Sequence, residues 1–191
     1  MMKRTITIRK AKKVEASVIA RLIMMAMTEE CCLYFCGKGH GLDDFRQMMT
    51  HLVQRMDSQY SYENTLVAVD EDKVVGIAVA YDGARLQELR HAFINSAKLY
   101  LGKDHSGMDD ETQAGELYLD SLAVLPEYRR KGIARQLMRA TKERADTMGL
   151  PCVGLLVDKD NHEGEALYES VGFRFKNDSM WGGHPMKHLT L

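Results

Sequence analysis

Residues 5–9, Thr-Ile-Thr-Ile-Arg, alternate polar and apolar, the period of a half-buried strand. Ile19, Leu22, Ile23 and Ala26 then recur at helical spacing and predict an amphipathic helix over residues 15–29. A second helix starts near Leu42, with Phe45, Met48, Met49, Leu52 and Met56 on one stripe. Methionine fills irregular gaps well, so this stripe reads as core rather than as a ligand surface. The segments 64–69 and 73–81 are rich in β-branched residues and predict a hairpin turning at Asp70-Glu71-Asp72. Leu86, Leu89, Ala92, Phe93 and Ala97 add another helix, and a polar loop follows over 102–110.

The second half of the chain has sharper local signals. Glu116-Leu117-Tyr118-Leu119-Asp120 alternates cleanly, but Leu122 and Val124 are apolar and share the parity of Asp120. A phase break inside a strand predicts a β-bulge, a device that re-aims side chains and backbone groups beside active sites. After Pro126 comes Arg129-Arg130-Lys131-Gly132-Ile133-Ala134-Arg135, leading into a helix with Ile133, Leu137, Met138, Thr141, Ala145 and Met148 on its buried stripe. Gly149 and Pro151 end that helix. The order of elements predicts one α/β (α+β) domain over residues 1–191, with an antiparallel section and a helix-and-loop insertion at 82–114.

Composition narrows the function. The chain has 191 residues, 26 basic and 27 acidic side chains and a formal charge of −1, so no global field draws it to nucleic acid or acidic lipid. No apolar run approaches the roughly 20 residues of a membrane span, and the N-terminal stretch lacks the apolar core of a secretory signal. A cytoplasmic protein with no membrane or nucleic-acid partner is expected. Cys31, Cys32, Cys36 and Cys152 lack paired Cys-x-x-Cys spacing. Cys31, Cys32 and Cys36 are read as three half-buried thiols on a helix and its exit, in preference to a metal site built from Cys32, Cys36 and His40, and no metal ligands are assigned.

The basic turn carries the chemistry. Four cations crowd the start of a helix whose dipole is already positive, an unfavourable placement unless an anion sits there. Gly132 would let backbone amides approach a phosphate closely. No Gly-Lys-Ser/Thr, Gly-x-Gly-x-x-Gly, His-Glu-x-x-His or Gly-x-Ser-x-Gly motif competes with this reading.

These residues resemble the GNAT superfamily of acetyl-CoA-dependent N-acetyltransferases. Arg129-Arg130-Lys131-Gly132-Ile133-Ala134 is similar to that family's Arg/Gln-x-x-Gly-x-Gly/Ala loop. The run from Asn161 through Leu167-Tyr168 to Gly172-Phe173 is similar to its Asn-x-x-Ala-x-x-Leu-Tyr-x-x-x-Gly-Phe segment, with Gly164 in place of alanine. The resemblance implies a mixed, mostly antiparallel sheet of about six or seven strands flanked by helices, with the bulged central strand near 116–125. It also implies that acetyl-CoA lies in a wedge beside that strand. Leu122, Ala123 and Val124 would meet its thioester and pantetheine arm. Arg129, Arg130, Lys131, Gly132, Ile133, Ala134 and Arg135 would hold its pyrophosphate, and Asn161 would touch it from the other side. Acetyl would pass directly to a primary amine in a ternary complex, with Tyr168 beside the coenzyme as general acid.

The pattern departs from the family at the base. The family's glutamate positions align with Tyr118 and Leu156. Asp120, nearest the bulge, is the first choice, with Glu116 and Tyr118 as further candidates on the same face. Acidic residues (Glu29, Glu30, Asp104, Asp109, Asp110, Glu111) and aromatics (Tyr34, Phe35, Tyr60, Tyr62, Trp181) would shape an amine site, and the long insertion favours a small-molecule acceptor. The alternative is a non-catalytic acyl-CoA-binding sensor or scaffold. A homodimer, if formed, would use the C-terminal strand around 186–191.

Overall fold

The computed structural model describes residues 5–191. It contains a seven-stranded sheet in the order β1-β2-β3-β4-β5-β7-β6. The strands are β1 (Ile6–Lys10), β2 (Thr65–Asp70), β3 (Lys73–Asp82), β4 (Glu116–Val124), β5 (Cys152–Asp158), β6 (Arg174–Trp181) and β7 (His184–Thr190). The helices are α1 (Ala16–Met27), α2 (Glu29–Phe35), α3 (Leu42–Gln54), α4 (Leu86–Leu101), α5 (Ile133–Thr147) and α6 (His162–Val171). Every neighbouring pair of strands is antiparallel except β4 and β5. The mixed, mostly antiparallel architecture matches the sequence expectation.

Strand alternation feeds two cores. Val67 and Val69 pack with α1 and α3, while Leu66 and Ala68 pack with α5 on the opposite face. With both faces covered, β2 is buried along its whole length. Among the described residues, no helix is long and apolar enough to cross a membrane.

The bulge explains the phase break in β4. Val79 lies opposite Ser121 and Ala80 opposite Leu119, leaving Asp120 as the extra residue. Leu117 and Leu119 face the α5 core before it, and Leu122 and Val124 face the same core after it, despite their opposite parity.

Three details differ from expectation. The helix expected over 15–29 is α1, and a separate helix follows it directly: Thr28 takes a φ of 72°, which ends α1, and its hydroxyl accepts from Cys31 N at 3.3 Å to open α2. Met56 lies past the end of α3 and is 71% exposed, so the stripe stops before it. Strand β7 lies between β5 and β6 and has no open edge for a second copy. Gly182 and Gly183 both adopt positive φ in a tight hairpin that folds the chain's last strand back inside β6. The end of the sequence is therefore not the edge of the sheet.

The segment 82–114 comprises α4 and a loop fastened to it. Arg90, 2% exposed, donates to the Asp109 carbonyl at 2.8 Å and Asp110 Oδ1 at 3.0 Å, and forms an ion pair with Glu111. His105 Nε2 lies 3.0 Å from the Phe35 carbonyl and ties the loop to α2.

Candidate active site

Strands β4 and β5 pair only over Glu116–Tyr118 and Cys152–Gly154, after which β5 continues against β7 alone. The gap opens as a cleft of about 880 Å³ between β4, the turn at 129–135, the end of α1 and helix α6. Leu125 N donates to Val75 O at 2.9 Å, so Ala123 and Ser121 form the hydrogen-bonded pairs with β3. Leu122 and Val124 therefore turn their backbone groups away from β3, into the wedge. The Val124 carbonyl is occupied by Arg129 Nε at 3.1 Å, which leaves its N–H available.

The basic turn brings backbone amides and cationic side chains together at the start of α5. Arg130 and Gly132 adopt φ of 59° and 78°. The first intrahelical bond of α5 runs from Gln136 N to Gly132 O, so the amides of Ile133, Ala134 and Arg135 precede the ladder. Arg129, Arg130, Gly132, Ile133, Ala134 and Arg135 all line the cleft. Arg135 also donates to Ser170 Oγ at 3.0 Å, linking the turn to α6. Lys131 differs from expectation: its ammonium donates to the Glu127 carbonyl at 2.8 Å and sits over the Tyr128 ring, outside the cleft lining. The Tyr128 ring draws it away.

Helix α6 supplies the opposite wall. The Asn161 side chain caps it, accepting from Gly164 N at 2.9 Å. A Cβ at position 164 would stand 2.7 Å from Asn161 Nδ2, so glycine lets the asparagine keep this pose. Tyr168 lines the cleft and packs edge-on against Phe173, with ring centroids 5.7 Å apart. Burial raises the pKa of its hydroxyl, which keeps it protonated near neutral pH.

Around the bulge the predicted residues diverge. Asp120 is half-buried and accepts from Ser121 Oγ at 2.8 Å. Burial pushes its carboxyl up to about 6, partly opposed by hydrogen bonds from Ser121 and Gln59 and by the charge of Arg90. Tyr118 is buried outside the cleft lining, packed edgewise on Tyr81 beside Leu86 and Leu89, with its hydroxyl at the Leu156 backbone; burial pushes its pKa well up. Glu116 lies apart from the cleft. It is 2% exposed, pairs with His188 Nε2 at 2.7 Å and accepts from Gln113 N at 2.8 Å. The parallel register points it at Gly154 and β7, which removes it from the candidate bases.

The acidic residues expected to attract an amine are largely engaged elsewhere. Asp104 pairs with Lys98, Asp110 and Glu111 with Arg90, and Asp109 accepts from Gly182 N. Trp181 packs against Phe35 in the core beside α3. The Cys36 thiol faces the carbonyls of Cys32 and Gly41, and His40 faces Asp44. Sequence reasoning missed Gln59 and Arg90 near Asp120, and Met25 and Ala26 in the cleft wall. No periodicity or motif marks these residues, and the burial of 58–61 is visible only in the fold.

Residues 40–173 match the model of the acetyltransferase (GNAT) family. The chain belongs to the GNAT acetyltransferase family. A solved acetyltransferase structure is 26% identical, with a TM-score of 0.79 over 96% of this chain and 97% of that one. The GNAT fold is equally similar in an N-acetyltransferase from Staphylococcus aureus Mu50, at 21% identity, a TM-score of 0.79 and coverage of 97% and 100%. Mycothiol acetyltransferase of Nocardiopsis dassonvillei is 38% identical over 78 residues, 41% of this chain and 22% of that one. The D-amino-acid N-acetyltransferase HPA3 of Saccharomyces cerevisiae is 34% identical over 58 residues, 30% and 36% of the two chains. The GNAT chain thus spans between 22% and 36% of the length of these curated relatives.

Proposed function

We propose that this GNAT protein transfers the acetyl group of acetyl-CoA to the primary amine of a small molecule. The observation that carries the reading is the wedge. It runs from the amides and arginines of the α5 turn to the inward-facing backbone of Leu122 and Val124, and Asp120, at the bulge two residues before Leu122, lies just beyond the residues that line it. These features suit a long anionic ligand with its reactive end at the bulge. The donor set fits acetyl-CoA: cations and helix-terminal amides for the pyrophosphate, and a free strand edge for the amide-bearing arm.

The bound thioester supplies an activated acyl carbon. Asp120 takes the proton from the incoming ammonium, directly or through a water, and so frees the lone pair that forms the new C–N bond. The Leu122 N–H lies along the wall where the thioester oxygen gathers charge and stabilises it there. Tyr168 gives its proton to sulfur as the C–S bond breaks; the nitrogen loses its second proton to water as the amide forms, and solvent reprotonates Tyr168 and removes the proton held by Asp120. Because the base must be ionised, kcat/KM rises with pH through about 6.

The small-molecule acceptor is supported by the tight aromatic surround of Asp120, where Tyr60, Tyr81 and Tyr118 are all buried. The similarity to mycothiol and D-amino-acid acetyltransferases points the same way. Initial rates of thiol release with small amines and with peptides test the acceptor class: faster peptide turnover would refute it. Tyr168→Phe is expected to lower kcat by about a hundredfold while leaving coenzyme affinity, measured by calorimetry, within about twofold of wild type. An unchanged kcat would remove Tyr168 from the reaction.

A further inference from the structure

Strand β7 makes a side-chain tie to each wall of the cleft. One wall is β4, with Leu122 and Val124; the other is α6, with Gly164 and Tyr168. Backbone pairing does not fix the spacing between them. Gly154 is the last β5 residue opposite β4, where it faces Tyr118, and it also faces Thr190 of β7. Beyond it the sheet is open between β4 and β5, so the distance from β4 to the elements past β5 depends on side chains.

Successive β7 residues supply those ties on opposite faces of the sheet. His188 is 1% exposed and crosses to β4, with its Nε2 2.7 Å from Glu116 Oε2. The glutamate reaches it over Gly154, where a Cβ would collide with the carboxylate. Glu116 Oε1 accepts from Gln113 N at 2.8 Å. His188 Nδ1 lies 3.2 Å from Asn177 Oδ1, which also accepts from Gln113 Nε2 at 3.2 Å. Asn177 Nδ2 donates to the Asp178 carbonyl at 2.9 Å, so Oδ1 is the acceptor and His188 Nδ1 carries a proton. Glu116, His188, Asn177 and Gln113 thus close a ring of hydrogen bonds around this joint. The preceding residue, Lys187, faces α6, where its ammonium donates to both Glu165 oxygens at 2.7 and 2.8 Å. That pair is partly buried, and Glu165 directly follows Gly164 of the cleft lining.

We infer that Lys187 and His188 are positioning residues acting in series: β7 is a strut from Glu116 on β4 to Glu165 on α6 that sets the spacing of the two cleft walls. This deepens the function proposed above and rests on the cleft taking acetyl-CoA. A buried ion pair is weak evidence for stability by itself. What marks a strut is that adjacent residues of one strand hold opposite walls. With either joint open the tie between the walls is lost, and opening the other adds nothing.

The test is affinity for acetyl-CoA by calorimetry, with urea unfolding alongside, for Lys187→Met, Glu116→Met, the double variant and Glu116→Gln. Lys187→Met opens the α6 joint and Glu116→Met the β4 joint. Each should weaken acetyl-CoA binding by about tenfold in folded protein, and the double variant should bind no more weakly than the single ones. Losses of stability should add, because the joints lie on opposite faces and share no partner. Glu116→Gln keeps the β4 joint: its amide can donate to His188 Nε2 while its carbonyl accepts from Gln113 N. Its affinity should lie within about twofold of wild type. Should Glu116→Met fail to fold, Gly154→Ala takes its place, its Cβ forcing the carboxylate off His188. Wild-type affinity in folded Lys187→Met, or losses of affinity that add in the double variant, overturns the inference and leaves the coenzyme reading intact. No binding of acetyl-CoA by the wild-type protein would overturn the proposed function and the strut with it.

Discussion

Asp120→Asn is expected to lower kcat/KM by about 10²–10⁴-fold at neutral pH, the usual worth of a positioned general base. The amide is nearly isosteric and can still accept from Ser121, so folding and coenzyme binding should survive. The pH profile should change shape as well as height. In the wild type the acidic limb falls as protonation of Asp120 sets in near pH 6, where burial has moved it from an ordinary carboxylate value. In the variant nothing titrates there, and the remaining rate should be flat through that range. A variant with nearly full activity at neutral pH would assign the proton transfer to another group.

The largest expected effect on stability belongs to Arg90→Ala. Arg90 and Glu111 are both buried, at 2% and 8% exposure, and each is the other's charge partner. Removing the guanidinium leaves Glu111 unpaired in the interior and unfastens the carbonyls of Met108 and Asp109. Breaking such a pair from one side costs about 3–5 kcal/mol, whereas replacing both partners is far less harmful. Urea unfolding should show that loss with little change in slope, and Arg90→Met combined with Glu111→Gln should recover much of it. A single variant within about 1 kcal/mol of wild type would show that the pair does not anchor the loop.

The parts of the site legible in the sequence are those whose signals are local. The phase break at Asp120 announced the bulge because side-chain parity along one strand is visible without any partner. The basic turn and Gly132 were readable because strand, turn and helix are contiguous there. What stayed hidden depends on pairing between distant segments. Glu116 shares a face with Asp120, yet the parallel register with β5 places it against His188, 72 residues away in sequence. The acidic residues near 104–111 suggested an amine site because composition shows charge, while only the fold shows Arg90 beneath them. Gln59 reaches Tyr81 across 22 residues and carries no motif. Strand β7 closes the chain but not the sheet, since two successive positive-φ glycines turn it inward.

On the proposed function, the cleft binds acetyl-CoA and its acetyl group passes to an amine. Mixing the purified protein with acetyl-CoA and a panel of small primary amines, while following free thiol and the mass of the amine, tests it most directly. Acceptor-dependent thiol release matched one for one by acetylated amine is the expected result. Tight coenzyme binding with no acceptor-dependent release, the behaviour of an acyl-CoA sensor, would contradict it.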